Sequence, residues 1–500
     1  MAGAVELPGE RGRAVNPGSS RALPTGHFIG GRWQPPAAGR FTETYDPGRA
    51  EPHARFAAGT AEDADAAVTA ATEAGRGEWG RATPAQRGRV LARTAALLLA
   101  NVERFAVAEV LDSGKTIAEA RGDVRGAARC FEYYAGAPDK HEGRAYPLGE
   151  SYVSYSIEEP LGVTAHVVPW NYPLSTAARS VAPALAAGCT AVVKPAEQTP
   201  MTALLLAELM AEAGLPAGAL NVVTGTGAEA GAPLVAHPGV RHVTFTGSTV
   251  TGIGVMKAAA ENVASVTLEL GGKSPNIVLA DADLDCALDN VVGAIFENAG
   301  QICSAGSRLV IERKVHAAFM ERLVHRARAL RIGHGLREET TFGAVNSAEH
   351  LSRITAAVEA ARARGLTPVT GGSATVDPNT GMGWFFEPTI FDAVDWRDPL
   401  VQEEIFGPVL AVQVVDDFDE AIAAANCTRY ALVAGIFTRD LSRAHRAARE
   451  IDAGQIFVNE YFAGGIETPF GGNRRSGIGR EKGLMAVSSY SRTKAVTIRI

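Results

Sequence analysis

From Gly162 onward the chain alternates short apolar runs with segments of helical spacing, and no other feature limits its possible folds so tightly. The runs are Val163-Thr-Ala-His-Val-Val168, Thr190-Ala-Val-Val-Lys194, Leu220-Asn-Val-Val223 and His242-Val-Thr-Phe245, and between them residues 174–187, 201–213 and 228–236 read as helices. Alternation of this kind implies a parallel sheet with helices on both faces, hence a Rossmann-like α/β domain. A second α/β series begins near Asn276-Ile-Val-Leu279 and runs to about Val458. With 500 residues the chain exceeds one ordinary core, so two or more domains are expected.

The flanks read differently. His27-Phe-Ile-Gly-Gly-Arg-Trp33 predicts a hairpin turning at Gly30-Gly31. Residues 61–74, 84–101, 103–111 and 116–134 predict an α-rich opening, with Thr83-Pro84 as an N-cap followed by proline at the first helical position. Tyr152 to Ile157 and Lys494 to Ile500 alternate as half-exposed strands. Residues 1–24 mix Gly, Pro, Arg and Glu without an apolar run and read as a mobile tail with no export signal.

A formal charge of −7 gives no reason to propose nucleic acid or an anionic membrane as partner. The longest apolar stretches, such as Ala95 to Ala100, fall far short of the ~20 residues a membrane span requires. The five cysteines, at 130, 189, 286, 303 and 427, are odd in number and scattered, which fits reduced thiols in a cytoplasmic protein better than a disulfide framework or a metal site.

Chemistry is expected at Asn298-Ala-Gly-Gln-Ile-Cys303-Ser-Ala-Gly-Ser-Arg308, where small residues surround a thiol. A free cysteine is ordinarily a small buried hydrophobe, and Cys303 becomes a nucleophile only when its thiolate forms. Two stretches upstream offer help. Leu268-Glu269-Leu-Gly-Gly-Lys273-Ser-Pro275 supplies a candidate base, and Pro169-Trp170-Asn171-Tyr172-Pro173 a candidate oxyanion donor.

Taken in this order, the three stretches resemble the NAD(P)-dependent aldehyde dehydrogenase superfamily, within it the betaine aldehyde and succinate semialdehyde dehydrogenase branch. Motif matches run from about residue 27 to the C-terminus. The resemblance implies Cys303 as nucleophile, Glu269 as general base and Asn171 as the oxyanion amide. It also implies NAD, bound by Pro169, Trp170, Lys194, Glu197, Gly247, Ser248, Glu404 and Phe406. Phe245-Thr-Gly-Ser248-Thr-Val-Thr-Gly252 follows a strand and enters a helix, although it departs from Gly-x-Gly-x-x-Gly spacing. A carboxylate at Glu197 would repel a 2′-phosphate, which argues for NAD over NADP.

The domains then expected are a cofactor domain (25–143 and 162–270), a catalytic domain (271–460), a β arm joining subunits of a dimer or tetramer (144–161 and 485–500), and a substrate-tunnel or linker segment (461–484). The tunnel would be lined by Tyr172, Thr176 and Arg179 on one helix face, by Glu297, Ile302 and Ser304 around the nucleophile, and by Tyr461, Phe462 and Phe470 opposite. Arg179 stands where succinate semialdehyde dehydrogenases carry an arginine, which favours a carboxylated aldehyde. Glu297 would pair with Arg179 or meet an amino group. Glu481 matches a proton-relay position whose usual lysine partner is here Ser180. His166 and His242 read as core residues. Two alternatives are a catalytically weak scaffold of the same fold and a CoA-acylating semialdehyde dehydrogenase.

Overall fold

The computed structural model describes residues 24–500, so the tail expected over 1–24 lies, but for Pro24, outside the described residues. Its largest sheet has eight strands. Five of them are parallel and lie side by side in the order Leu220–Val222, Thr190–Pro195, Val163–Val168, Val240–Thr246 and Ser265–Glu269. This doubly wound order has the first strand in the middle. The expected hairpin, His27–Ile29 with Arg32–Gln34, extends one edge through Phe28 and Val222.

Helices Pro84–Ala100 and Ile117–Ala135 start where Thr83 and Thr116 accept hydrogen bonds from the backbone of Gln86 and Glu119. Their apolar faces share one core with helices Pro173–Ala187 and Met201–Glu212. The α-rich opening therefore covers the large sheet. Where a helix is expected over 228–236, the chain forms a π-helical turn, Gly227–Gly231, and then a short helix, Ala232–Val235. Pro233 explains the break, since it lacks an N–H and starts a helix better than it continues one.

The second sheet orders Pro368–Thr370, Thr389–Phe391, Val409–Val415, Arg308–Glu312, Pro275–Val278, Val433–Phe437 and Gln455–Val458, and only the first of these runs antiparallel. Segment 461–484 is more than a linker. Its strand Gly477–Ile478 closes the far edge of the large sheet against Leu268 and Glu269, and Asn473–Arg474 pairs with Tyr430–Ala431. A further hairpin, Phe41–Asp46 with Glu51–Ala57, has no counterpart among the sequence expectations.

Tyr152–Pro160 and Ser491–Arg499 pair antiparallel along their whole lengths, from Ser491 opposite Pro160 to Arg499 opposite Tyr152, with Ala145–Tyr146 as a third strand. Tyr152, Val153, Tyr155, Ile157 and Ile498 are exposed on this arm. Among the described residues no helix is long and apolar enough to cross a membrane.

Candidate active site

Strands Val163–Val168 and Val240–Thr246 are neighbours, yet the chain leaves them toward opposite sides of the sheet, so a crevice opens past their carboxyl ends. Pro169, Trp170 and Asn171 follow the first strand; Gly247 and Ser248 follow the second. A cavity of about 1070 Å³ occupies this crevice. All the residues expected to hold the cofactor line it, as do Cys303, Glu269 and Asn171.

Local structure explains each placement. Ser248 caps helix Thr249–Glu261, its Oγ accepting from the Thr251 N–H, so the positive end of the helix dipole faces the cavity. Lys194, one residue before the end of its strand, is almost fully buried, with Nζ 3.2 Å from the Glu197 carboxylate. Glu404 accepts the Gly272 N–H at 2.8 Å, and burial pushes its carboxyl up to about 7. Gly271 and Gly272 do not adopt left-handed backbone. They permit close approach instead, since a Cβ on Gly272 would lie 2.4 Å from the Cys303 carbonyl oxygen.

The segment before Cys303 is bent by three successive left-handed residues, Asn298, Ala299 and Gly300. Gln301, fully buried, ties the bend together. Its Nε2 donates to the Asn298 and Ala344 carbonyls, its Oε1 accepts from the Asn346 N–H, and its carbonyl accepts from the Asn171 Nδ2 at 2.8 Å. An amide nitrogen carries two protons, so Asn171 keeps a second N–H to offer. Desolvation pushes the Cys303 thiol up to about 11; Arg179 and the Ser304 N–H oppose that rise, while Glu269 and Glu404 add to it.

Glu269 is 1% exposed and neither carboxyl oxygen has a hydrogen-bond partner. Burial, then the charge of Glu481, hold its carboxyl well above the usual range against Arg179, Arg480 and Lys482. A buried carboxyl without partners favours its neutral form and takes up a proton readily.

The expected tunnel residues are not among those that line the large cavity. Phe470 and Tyr461 form an apolar cluster against which Cys303 packs, and Tyr461 donates its hydroxyl to the Ser304 carbonyl at 2.9 Å. Phe462 packs edge-on to Tyr461. Ile302 is buried in the core on which Tyr172 leans, and Lys115 covers the Tyr172 ring at 4.2 Å. Thr176 is buried one turn along the helix. Glu297 is exposed, and partial desolvation, with Glu119 and Asp123 nearby, pushes its carboxyl up to about 7.

Arg179 departs from expectation. Its Nε forms a close ion pair with Glu481, and its guanidinium stacks on Phe470 at 5.1 Å, so it does not pair with Glu297. The cation beside Glu481 therefore comes from Arg179, next to Ser180. His166 and His242 are buried in the sheet, and burial holds both below the usual imidazole range, to about 3 and about 4.

Sequence reasoning missed two residues here. Gln301 stands inside the nucleophile motif, where its burial could have been suspected. His350 comes from helix Ala348–Ala363, lines the cavity, and carries no local signature.

The aldehyde dehydrogenase family model matches residues 33–496. A betaine aldehyde dehydrogenase of Bacillus subtilis is 40% identical over 94% of this chain and 96% of its own length. Among solved structures, betaine aldehyde dehydrogenase of Staphylococcus aureus, in complex with NAD+, shares 36% identity with a TM-score of 0.93, covering 96% of this chain and 98% of that one. An indole-3-acetaldehyde dehydrogenase of P. syringae, in complex with NAD+ and IAA, shares 39% identity with a TM-score of 0.94 and the same coverage. With a family model spanning most of its length and relatives this similar from end to end, the chain belongs to the aldehyde dehydrogenase family.

Proposed function

We propose that this protein oxidises an aldehyde to its carboxylic acid with NAD, through a thioester on Cys303 that water resolves. The observation that carries the reading is that Cys303, Glu269 and Asn171 share one cavity with the crevice at the sheet's switch point. That cavity suits a dinucleotide. It offers the helix N-terminus at Ser248 for a pyrophosphate, Lys194 with Glu197 for ribose hydroxyls, and the Glu404 carboxylate with the Phe406 ring for the nicotinamide ribose and ring.

In the first step the Cys303 thiolate attacks the carbonyl carbon, forming a C–S bond and an oxyanion. The free Asn171 N–H and the Cys303 backbone N–H stabilise that oxyanion, an effect worth ~10²–10³ in rate per donor. Bound NAD supplies the hydride acceptor. With hydride gone the carbonyl reforms as a thioester. Glu269 then takes a proton from water as the water attacks, and the C–S bond breaks to release the acid and restore Cys303. Glu481, whose charge acts on Glu269 and which pairs with Arg179, would receive that proton in turn.

We favour a neutral or cationic aldehyde over a carboxylated one. Arg179 is already engaged by Glu481, whereas Glu297 stands with Glu119 and Asp123 on the Tyr172 side. We also read the exposed strand arm as the surface that joins copies of this chain into a dimer or tetramer, and 25–143 with 162–270 and 271–460 as its cofactor and catalytic domains.

The test is NADH formation by purified protein with aliphatic, aromatic, amino and carboxylated aldehydes, with and without CoA. Acid formed without CoA supports the reading. NADH that appears only with CoA would make this an acylating enzyme, and no NADH with any aldehyde would make it a scaffold.

A further inference from the structure

Phe406 holds a backbone conformation that its side chain disfavours. Its φ is +61°, in the left-handed region that bulky residues rarely enter, and such a residue persists only where its surroundings hold it. The restraint nearest to hand is His350, whose Nε2 lies 2.7 Å from the Phe406 carbonyl oxygen. A carbonyl only accepts, so His350 carries its proton on Nε2 and donates it there. The rings enclose the same point: Trp170 packs edge-on to His350 at 5.1 Å and to Phe406 at 5.3 Å, and His350 meets Phe406 at 5.9 Å.

Each of these three residues comes from a different part of the chain, and all line the large cavity. Trp170 follows the strand Val163–Val168, next to Asn171. Phe406 lies two residues past Glu404. His350 sits in the first turn of helix Ala348–Ala363, whose start is fixed by Ser347 accepting the His350 backbone N–H. The imidazole therefore has a rigid base on one side and the bent segment 404–406 on the other.

We infer that His350 is a positioning residue that latches Phe406, and with it the segment carrying Glu404, in the geometry required for hydride transfer. This rests on the proposed use of NAD at this cavity. Without the latch, Phe406 can relax toward negative φ, which swings its ring and shifts the carboxylate two residues earlier. A displacement of about 1 Å at a reacting centre costs on the order of 10²-fold in rate. Burial holds the His350 pKa below the usual imidazole range, so the ring is neutral at physiological pH. The groups that face it are the Phe406 carbonyl, with Arg353 and Glu349 on its own helix.

The test compares His350→Phe, which keeps a ring and loses the donor, with His350→Gln, which keeps an N–H near the same place. NADH formation in the first turnover is followed with an aldehyde bearing hydrogen or deuterium on its carbonyl carbon. His350→Phe is expected to slow that turnover at least ten-fold and to enlarge its deuterium effect, while the later rate of thioester hydrolysis stays at the wild-type value. His350→Gln is expected to recover most of the loss. A His350→Phe enzyme with wild-type first-turnover rate and isotope effect overturns the latch, and so does a His350→Gln enzyme no faster than His350→Phe. Failure of the underlying reading looks different, because then the unaltered protein forms no NADH at all. If His350→Phe does not fold, His350→Gln against His350→Ala decides in the same way.

Discussion

The two sides of Cys303 are built on different principles. On the cofactor side the working groups are fixed by backbone: a helix N-terminus at Ser248, a strand end at Lys194, and a Gly272 N–H that holds Glu404. On the side proposed for the substrate nearly everything is side chain, and its charges are answered from within. Arg179 meets Glu481, and Lys115 is held by Glu109 and Asp123 while it covers Tyr172. A site that must perform the same steps on every aldehyde gains from parts that no rotamer can move. A site that selects among aldehydes needs parts that a few substitutions can change. The named relatives fit this division, since a betaine aldehyde dehydrogenase and an indole-3-acetaldehyde dehydrogenase stand at nearly equal identity to this chain.

The comparison breaks most severely if the thiol is dispensable. Cys303→Ala should lower turnover by at least ~10⁴-fold while NAD still binds, because the proposed route bonds the substrate through this sulfur. Calorimetry of NAD binding beside the activity assay checks both halves. Residual turnover within a hundred-fold of wild type would place the chemistry elsewhere in the cavity.

Glu269→Gln should cost ~10²–10⁴-fold in steady-state turnover and yet spare the first turnover, so that one NADH per site appears and then stalls. The pH dependence follows from the direction of its shift. Burial and Glu481 raise the Glu269 carboxyl well above the usual range, so its basic form grows only as pH rises, and hydrolysis should quicken from neutral into alkaline solution. Stopped-flow records of the wild type and Glu269→Gln across pH separate this limb from that of Cys303, whose thiol is also pushed up and governs the first turnover. A Gln variant that shows no initial burst would mean that Glu269 is needed before the thioester forms.

Much of the cofactor side was legible in the sequence because short periodic segments fix backbone, and backbone fixes that side. The alternation after Gly162 predicted the parallel strands and put Lys194 at the sheet's carboxyl edge, while the cofactor reading of Gly247 and Ser248 came from the family resemblance. Side chains that meet across long stretches of chain were not legible. Helical spacing put Tyr172, Thr176 and Arg179 on one face, but nothing nearby showed that Arg179 would reach Glu481, some three hundred residues on. His350 joins Trp170 across some 180 residues. Gly477–Ile478 is too short to show a period, so its place at the sheet's edge was hidden. The turn at Gly227–Gly231 shows a local rule overridden, since Pro233 interrupts a helical pattern that apolar spacing alone would continue.

Arg179→Leu sharpens the comparison on the substrate side. If Arg179 serves structure, the ratio of kcat/KM for succinate semialdehyde over hexanal should stay the same, and the protein should lose about 3 kcal/mol because Glu481 is left buried without its cation. Thermal unfolding and the two-substrate ratio are read on the same sample. A ratio that falls ten-fold or more with stability intact would return the arginine to carboxylate recognition.

The smallest effect is expected back on the cofactor side, at a charged contact there that remains partly in water. Glu197 is 41% exposed and lies 3.2 Å from Lys194 Nζ. Glu197→Ser removes a charge that would repel a 2′-phosphate and frees the lysine to attract one, so kcat/KM with NADP should rise while that with NAD falls. Partial exposure screens both terms, which keeps each change to roughly three- to ten-fold. Because the gain is electrostatic and near the surface, it should shrink as salt is raised from 0.05 to about 1 M, where the screening length falls to ~3 Å. A gain that persists at high salt would have to come from shape, and would show that even a backbone-built site keeps one selective position in its side chains.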